Sequence, residues 1–259
     1  MNIVVCVKQV PDTWAERKLR PGDATLDRES VDGLINELDE YAIEEALQIK
    51  EAHGGEVTVL SMGPEKASES VRKALSMGAD KAVHLLDDAL AGSDVLQTSY
   101  ALAQVLGSIG FDLVVLGAES TDARMGAMAA MLAERLGVPQ LSLASKVEID
   151  GTQVTIHRQS EDGYWKVAAD LPAVVSVVEK INEPRYPSFK GIMAAKKKPM
   201  QVMSLADADI DPSLVGLANA ATEVVDFAER PPRQAGTIVK DEGDGGNKAA
   251  EFLAVSKFI

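Results

Sequence analysis

The sequence contains one cysteine, Cys6, so no disulfide can form within the chain. Its place in an apolar run fits a buried structural thiol in a reducing compartment. No apolar run approaches the ~20 residues needed to cross a bilayer. The first strand begins at Asn2 and meets Lys8 and Gln9 too soon to leave room for a secretory leader, so the expected location is the cytoplasm or an equivalent matrix. Basic residues are in deficit: 26 Lys and Arg face 40 Asp and Glu, a net charge of -14. That balance opposes binding to nucleic acid or insertion at an anionic membrane surface. His53, His84 and His157 stand far apart and in no metal-ligand spacing, which reads as packing or surface histidines and no metal site. Neither Gly-x-x-x-x-Gly-Lys-Ser/Thr nor Gly-x-Gly-x-x-Gly occurs, so the two best-characterised phosphate fingerprints are missing.

The 259 residues, 46% of them hydrophobic with a mean hydropathy near zero, suffice for one large core with an appendage. Residues 1–7 form a valine-rich run of the kind that makes a central parallel strand covered on both faces. A charged excursion follows over 13–38, with a short strand or hairpin expected near 24–31. A helix opens at Asn36 or Asp39, either of which could cap it. In that helix Glu44 and Glu45 read as solvated charge, since adjacent helix positions point apart. Strands are expected over 56–62, 81–86 and 113–116, alternating with helices over 68–77 and from Asp94 to about 109. This rhythm predicts an α/β fold, a doubly wound, mostly parallel sheet with right-handed crossovers. From 143 the pattern becomes an antiparallel meander with turns at Asp150-Gly151 and Asp162-Gly163, and 173–178 returns to an apolar strand.

The stretch 113–138 organises the functional reading. An apolar strand ends in Gly117-Ala118-Glu119-Ser120-Thr121-Asp122-Ala123-Arg124-Met125-Gly126 and runs into a helix from about Gly126. Such a turn gathers unpaired backbone N–H groups and a positive helix end, an arrangement that suits phosphate. These residues alone fit an ordinary connecting loop equally well. The loop after the first strand is a second candidate wall, because ligands of open parallel sheets gather at strand carboxyl ends where strand order reverses. Beyond 178 the chain carries two prolines and exposed-looking apolar residues, and a long tail with scattered apolar anchors implies a partner chain.

Five stretches, Cys6-Val7-Lys8-Gln9-Val10-Pro11-Asp12, residues 36–46, Ala74-Leu75-Ser76-Met77-Gly78-Ala79-Asp80, the 117–126 loop and Asn182-Glu183-Pro184-Arg185-Tyr186, together resemble the β subunits of electron-transfer flavoproteins over essentially the whole length. The resemblance implies an adenine-nucleotide α-hydrolase-like domain over 1–185, a partner-recognition loop over 186–200 and an arm over 201–259 that packs on an α subunit. It implies an electron carrier rather than an enzyme, with no catalytic residue. Electrons would pass from primary dehydrogenases, acyl-CoA dehydrogenases of fatty acid oxidation among them, to a membrane quinone oxidoreductase. FAD would be shared and held mainly by the α subunit, with a structural AMP in this chain. Carried over by position, the nucleotide site comprises Cys6, Asn36, Glu37, Leu38, Asp39, Met62, Gly117, Ser120, Thr121, Asp122, Ala123, Arg124, Met125 and Gly126. Thr13 and Leu38 fall near the flavin. Recognition falls on Tyr186, Phe189, Ile192, Met193, Lys196, Lys197 and Lys198, with Phe189 as the anchor. Two alternatives stand beside this: a bifurcating form with a second FAD in place of AMP, and an ATP-using enzyme of the same fold.

Overall fold

The computed structural model describes residues 1–229, 231–232, 236 and 238–259. They form two units, Met1–Val225 and Asp226–Ile259. In the first, β1 (Asn2–Cys6) leads to a small ribbon of β2 (Gln9–Pro11) and β3 (Gly33–Ile35), then α1 (Glu37–His53), β4 (Glu56–Met62), α2 (Ser68–Met77), β5 (Lys81–Leu85), α3 (Val95–Ile109), β6 (Leu113–Gly117) and α4 (Met128–Leu136). Three antiparallel strands follow, β7 (Gln140–Asp150), β8 (Gln153–Ser160) and β9 (Gly163–Asp170). Then come β10 (Ala173–Val177), α5 (Phe189–Ala195) and β11 (Met200–Met203). The second unit contains α6 (Gly245–Val255).

The main sheet has nine strands in the order β11-β5-β4-β1-β6-β10-β7-β8-β9. It is parallel from β11 to β7 and antiparallel from β7 to β9. The antiparallel strands thus extend the main sheet itself. The wholly apolar runs become its centre: β6 and β10 are buried along their full length, as strands covered on both faces must be. Ile3, Val5 and Val7 face one core with Ile43, Leu47 and Leu75 of α1 and α2. Val4 and Cys6 face the other with Leu102, Leu106 and Leu132 of α3 and α4. The period-two alternation of β1 therefore feeds two apolar layers, the signature of a doubly wound sheet. Helix α3 starts where expected, with a capping box between Asp94 and Gln97.

Several expectations need correction. The excursion has no hairpin at 24–31: its strand is β3, paired with β2, and the 24–31 region contributes only an isolated bridge between Leu19 and Leu26. The cause is local, since Asp23 accepts the N–H of Thr25 and Asp27 those of Glu29 and Ser30, which turns the chain. Helix α4 begins at Met128 rather than Gly126, because Arg124 and Gly126 sit at φ +49° and +63°, outside the helical region. Asn36 occupies the N-cap of α1 but its side chain makes no cap bond; it is used elsewhere. Glu44 and Glu45 are buried, covered by the segment that carries Asn182 and Arg185.

The stretch expected as an arm divides. β11 takes the free edge of β5, and Leu205, Ala208, Ile210 and Val215 are buried against the α3 face. Residues 226–259 form the separate unit, in which Phe252, Val255, Phe258 and Ile259 are exposed. Positions 230, 233–235 and 237 of that expected arm lie outside the described residues. Among the described residues no helix is long and apolar enough to cross a membrane.

Candidate functional site

Strand order reverses at β1: the chain builds leftward through β4 and β5, then returns to place β6 on the other side of β1. The carboxyl ends of β1 and β6 therefore frame the crevice where ligands of such sheets bind. One carboxylate closes the base of this crevice. Asp39, in the first turn of α1, accepts the N–H of Lys8 at 2.8 Å on Oδ2 and that of Gly117 at 3.3 Å on Oδ1. It ties the two strand ends to the helix. Burial raises its pKa to about 7 against the pull of those two N–H groups and the Lys8 charge. Gly117 is required by this closeness, since a Cβ there would stand 2.6 Å from Asp39 Oδ1 and 2.8 Å from the Leu38 carbonyl carbon. The packing of α1 against the strand end is enough to require glycine here.

Asn36 fixes the loop above. Its Nδ2 donates to the Glu119 carbonyl and its Oδ1 accepts the Thr121 N–H, both at 3.0 Å. Asp122 is the third anchor, its carboxylate turned inward and 1% exposed, bonded to Lys8 Nζ at 2.8 Å and Arg28 Nη2 at 2.6 Å. Burial works against the charge, but Lys8 and Arg28 outweigh it and hold the carboxyl at about 2. Burial likewise lowers the Lys8 pKa, with Asp122 opposing and Arg28 assisting. The loop then turns back, Arg124 N–H donating to the Ser120 carbonyl at 2.8 Å.

A cleft of about 330 Å³ opens beside this loop, lined by Thr13, Trp14, Arg17, Glu37, Thr121 and Arg124. That volume lies at the low end of the ~300–1,000 Å³ of small-molecule sites. The Thr121 hydroxyl oxygen is buried in the wall of this cleft and has no hydrogen-bond partner among the described residues, an unmet polar demand beside the cleft. In a chain of net charge -14, Arg17 and Arg124 line the cleft beside Glu37, while Lys8 and Arg28 pair with the inward-turned Asp122 of the same loop. With the first-turn N–H groups of α4 beyond the loop, this locally cationic setting fits a phosphate-bearing ligand.

Of the residues singled out from sequence, Asn36, Glu37, Leu38, Asp39, Gly117, Ser120, Thr121 and Asp122 gather at these strand ends. Ala123, Met125 and Gly126 continue the loop with exposed positions. Two stand back. Cys6 is buried in the α3/α4-side core, where burial and then the Asp39 charge push its thiol up to about 12, leaving it unreactive. Met62, at the end of β4, packs on the same core. Lys8, Trp14, Arg17 and Arg28 were missed. Lys8 carried a usable signal, being the first residue past the carboxyl end of the first strand but one; Arg28 carried none.

The recognition candidates lie elsewhere. Tyr186 and Phe189 are 95% and 80% exposed, and Ile192 and Met193 are also exposed, so Phe189, Ile192 and Met193 form an i, i+3, i+4 stripe on α5. Lys196 and Lys197 are exposed. Lys198 differs, its Nζ donating to the carbonyls of Leu75 at 2.9 Å and Ala79 at 2.5 Å at the end of α2.

Comparison with known proteins gives consistent matches. The model of the electron transfer flavoprotein domain matches residues 23–208. The chain is 55% identical over 264 residues to the electron transfer flavoprotein subunit beta of Mycobacterium tuberculosis and 54% identical to that of Mycobacterium leprae, in both cases covering 100% of this chain and 99% of the relative. It is 37% identical to the caffeyl-CoA reductase-Etf complex subunit CarD of Acetobacterium woodii, over 92% of each chain.

Proposed function

Because this chain belongs to the electron transfer flavoprotein family, among its β subunits, we propose that it pairs with an α subunit and carries electrons from primary dehydrogenases, acyl-CoA dehydrogenases among them, to a membrane quinone oxidoreductase. It makes and breaks no substrate bond itself. Its place is the cytoplasm or an equivalent matrix. The cleft at the β1/β6 strand ends takes a structural AMP, and the shared FAD lies mainly on the α subunit. The observation that carries this reading is the cleft lined by Arg17 and Arg124, with a Thr121 hydroxyl that has no partner among the described residues, beside the strand ends where strand order reverses.

Asn36 and Asp39 fix the loop and the strand ends before any ligand arrives, so its donors are already oriented. Thr121 and Arg124, with the backbone beyond them, hold the phosphate, and Lys8 with Arg28 offsets the Asp122 charge beneath it. FAD, when bound, supplies the redox chemistry. This chain's part is to bind, to orient and to exclude water. Phe189, Ile192 and Met193 offer an apolar docking stripe, and Lys190, Lys196 and Lys197 beside it raise the encounter rate with acidic surfaces.

The test is to co-express the chain with its α partner, denature the purified complex and identify the released nucleotides by chromatography. FAD and AMP in equal amounts support the proposal. Two FAD without AMP move the chain to the bifurcating form, and ATP or ADP without flavin overturns the carrier reading.

A further inference from the structure

Residues 178–199 carry the chain from β10 to β11, past β6, β1, β4 and β5. This strap is fastened at both ends. At its start Asn182 Nδ2 donates to the Tyr41 carbonyl and to Glu45 Oε2, both at 3.1 Å. Arg185 then grips two carboxylates of α1. Its Nε and Nη2 meet Glu44 at 2.7 and 2.9 Å, its Nη1 and Nη2 meet Glu51 at 2.6 and 3.2 Å, and its backbone N–H donates to Glu44 Oε2 at 3.1 Å. At the far end Arg72 Nη1 donates to the Ala195 carbonyl at 2.9 Å, and Lys198 caps α2. Between the anchors, α5 sits on the last turn of α2 through small residues. Ala195 is buried, and a Cβ at Gly191 would collide with the Ser76 carbonyl oxygen.

We infer that Arg185 is a positioning residue for partner docking: the Glu44–Arg185–Glu51 clamp fixes the direction in which α5 leaves α1 and so aims the Phe189, Ile192, Met193 stripe outward. This rests on the docking reading given above. A clamp of this kind is poorly explained by stability alone, since a buried ion pair is often no better than an apolar pair of the same volume. What it supplies is geometry. The Glu44 side chain is 6% exposed, and one of its oxygens receives both the guanidinium and the main-chain N–H of Arg185, so the side chain and the backbone are fixed to one atom. The planar fork that engages two carboxylates has no equivalent in lysine, which keeps the charge but offers a single ammonium. Arg185 holds the entry to the strap as Arg72 and Lys198 hold its exit, and within 186–197 Ala195 is the one buried residue.

The test uses the purified heterodimer with Arg185→Lys, Glu51→Gln and Phe189→Ala. Glu51 is 59% exposed on its side chain, so Glu51→Gln loosens the outer half of the clamp without threatening the fold. Amide exchange over 186–197 is expected to quicken about tenfold in Arg185→Lys and about threefold in Glu51→Gln, with faster tryptic cleavage after Lys190 and Lys196. With an acyl-CoA dehydrogenase reduced by butyryl-CoA as probe, KM for the dehydrogenase is expected to rise about five- to tenfold in Arg185→Lys. kcat, nucleotide content and flavin reduction by dithionite stay at wild-type values. If both clamp variants leave exchange and KM unchanged, or lower only the melting temperature, Arg185 is merely structural and the inference fails. If Phe189→Ala leaves KM unchanged, or the wild type accepts no electrons from the probe, the docking reading fails instead, and the exchange rates still decide whether the clamp orients the strap.

Discussion

The cradle loop and the strap hang from the same helix and are held in opposite ways. The cradle is fastened through its middle: Asn36 grips Glu119 and Thr121, and Lys8 with Arg28 grips Asp122. The strap is fastened at its ends, by Arg185 on α1 and Lys198 on α2, and its middle is left exposed and apolar. A loop that presents N–H groups to a small anion gains from having every donor fixed in advance. A segment that meets another protein needs its centre unencumbered, since hot-spot side chains act by filling a partner's pocket. Helix α1 supplies both kinds of fastening, from its first turn and from its outer face.

The contrast breaks most sharply at Asp39. Asp39→Ala leaves the N–H groups of Lys8 and Gly117 without their acceptor. It is expected to cost about 3 kcal/mol in denaturant unfolding, with loss of the bound nucleotide. Gly117→Ala forces α1 away from the strand end and is expected to cost about 2 kcal/mol by the same measurement. Phe189→Ala should do the reverse: unfolding within about 0.5 kcal/mol of wild type, yet affinity for the dehydrogenase weakened by about 2 kcal/mol in a binding titration. A large stability loss in Phe189→Ala would erase the distinction.

The pH dependence sharpens the contrast within the cradle. Asp39 has its native pKa raised to about 7. Its contribution is therefore fully present below the unfolded value near ~3.9 and is lost as pH rises through 7. Asp122 is held at about 2, so its contribution is present above ~3.9 and lost as pH falls toward 2. The stability difference between wild type and Asp122→Asn in unfolding curves should therefore shrink as pH falls toward 2 and hold steady near neutrality. The smallest effect belongs to the lysines. Replacing Lys196 and Lys197 by Gln should slow association two- to threefold (about that much at low salt, nothing at high salt) in stopped-flow mixing. Lys198→Gln, which uncaps α2, should act on stability instead.

The fold was legible where one period governed a long stretch. The valine-rich runs of β1, β6 and β10 and the start of α3 at Asp94 read directly, because burial on both faces and cap chemistry leave local marks. What sequence could not show was where polar side chains reach across the fold. Asn36 is a good N-cap by type and is diverted to a loop more than eighty positions away. Glu44 and Glu45 read as solvent-facing charge because nothing local announces that Asn182 and Arg185 will cover them. The cradle loop was located by its strand-to-helix form, yet the cations beneath it come from the first strand's end and from the charged excursion. No spacing rule connects Arg28 to Asp122.

Strand β11 has a consequence in time. It pairs with β5, but α3, β6, α4, the antiparallel strands, β10 and α5 are all synthesised between the two. Closing so long a loop is slow, and such non-local pairings come after local ones. The strap takes its final path only when β11 has found that edge, so the docking surface is expected to be among the last parts of the molecule to acquire its shape. A nascent or refolding chain can then complete the crevice at the β1 and β6 ends before α5 reaches its exposed position.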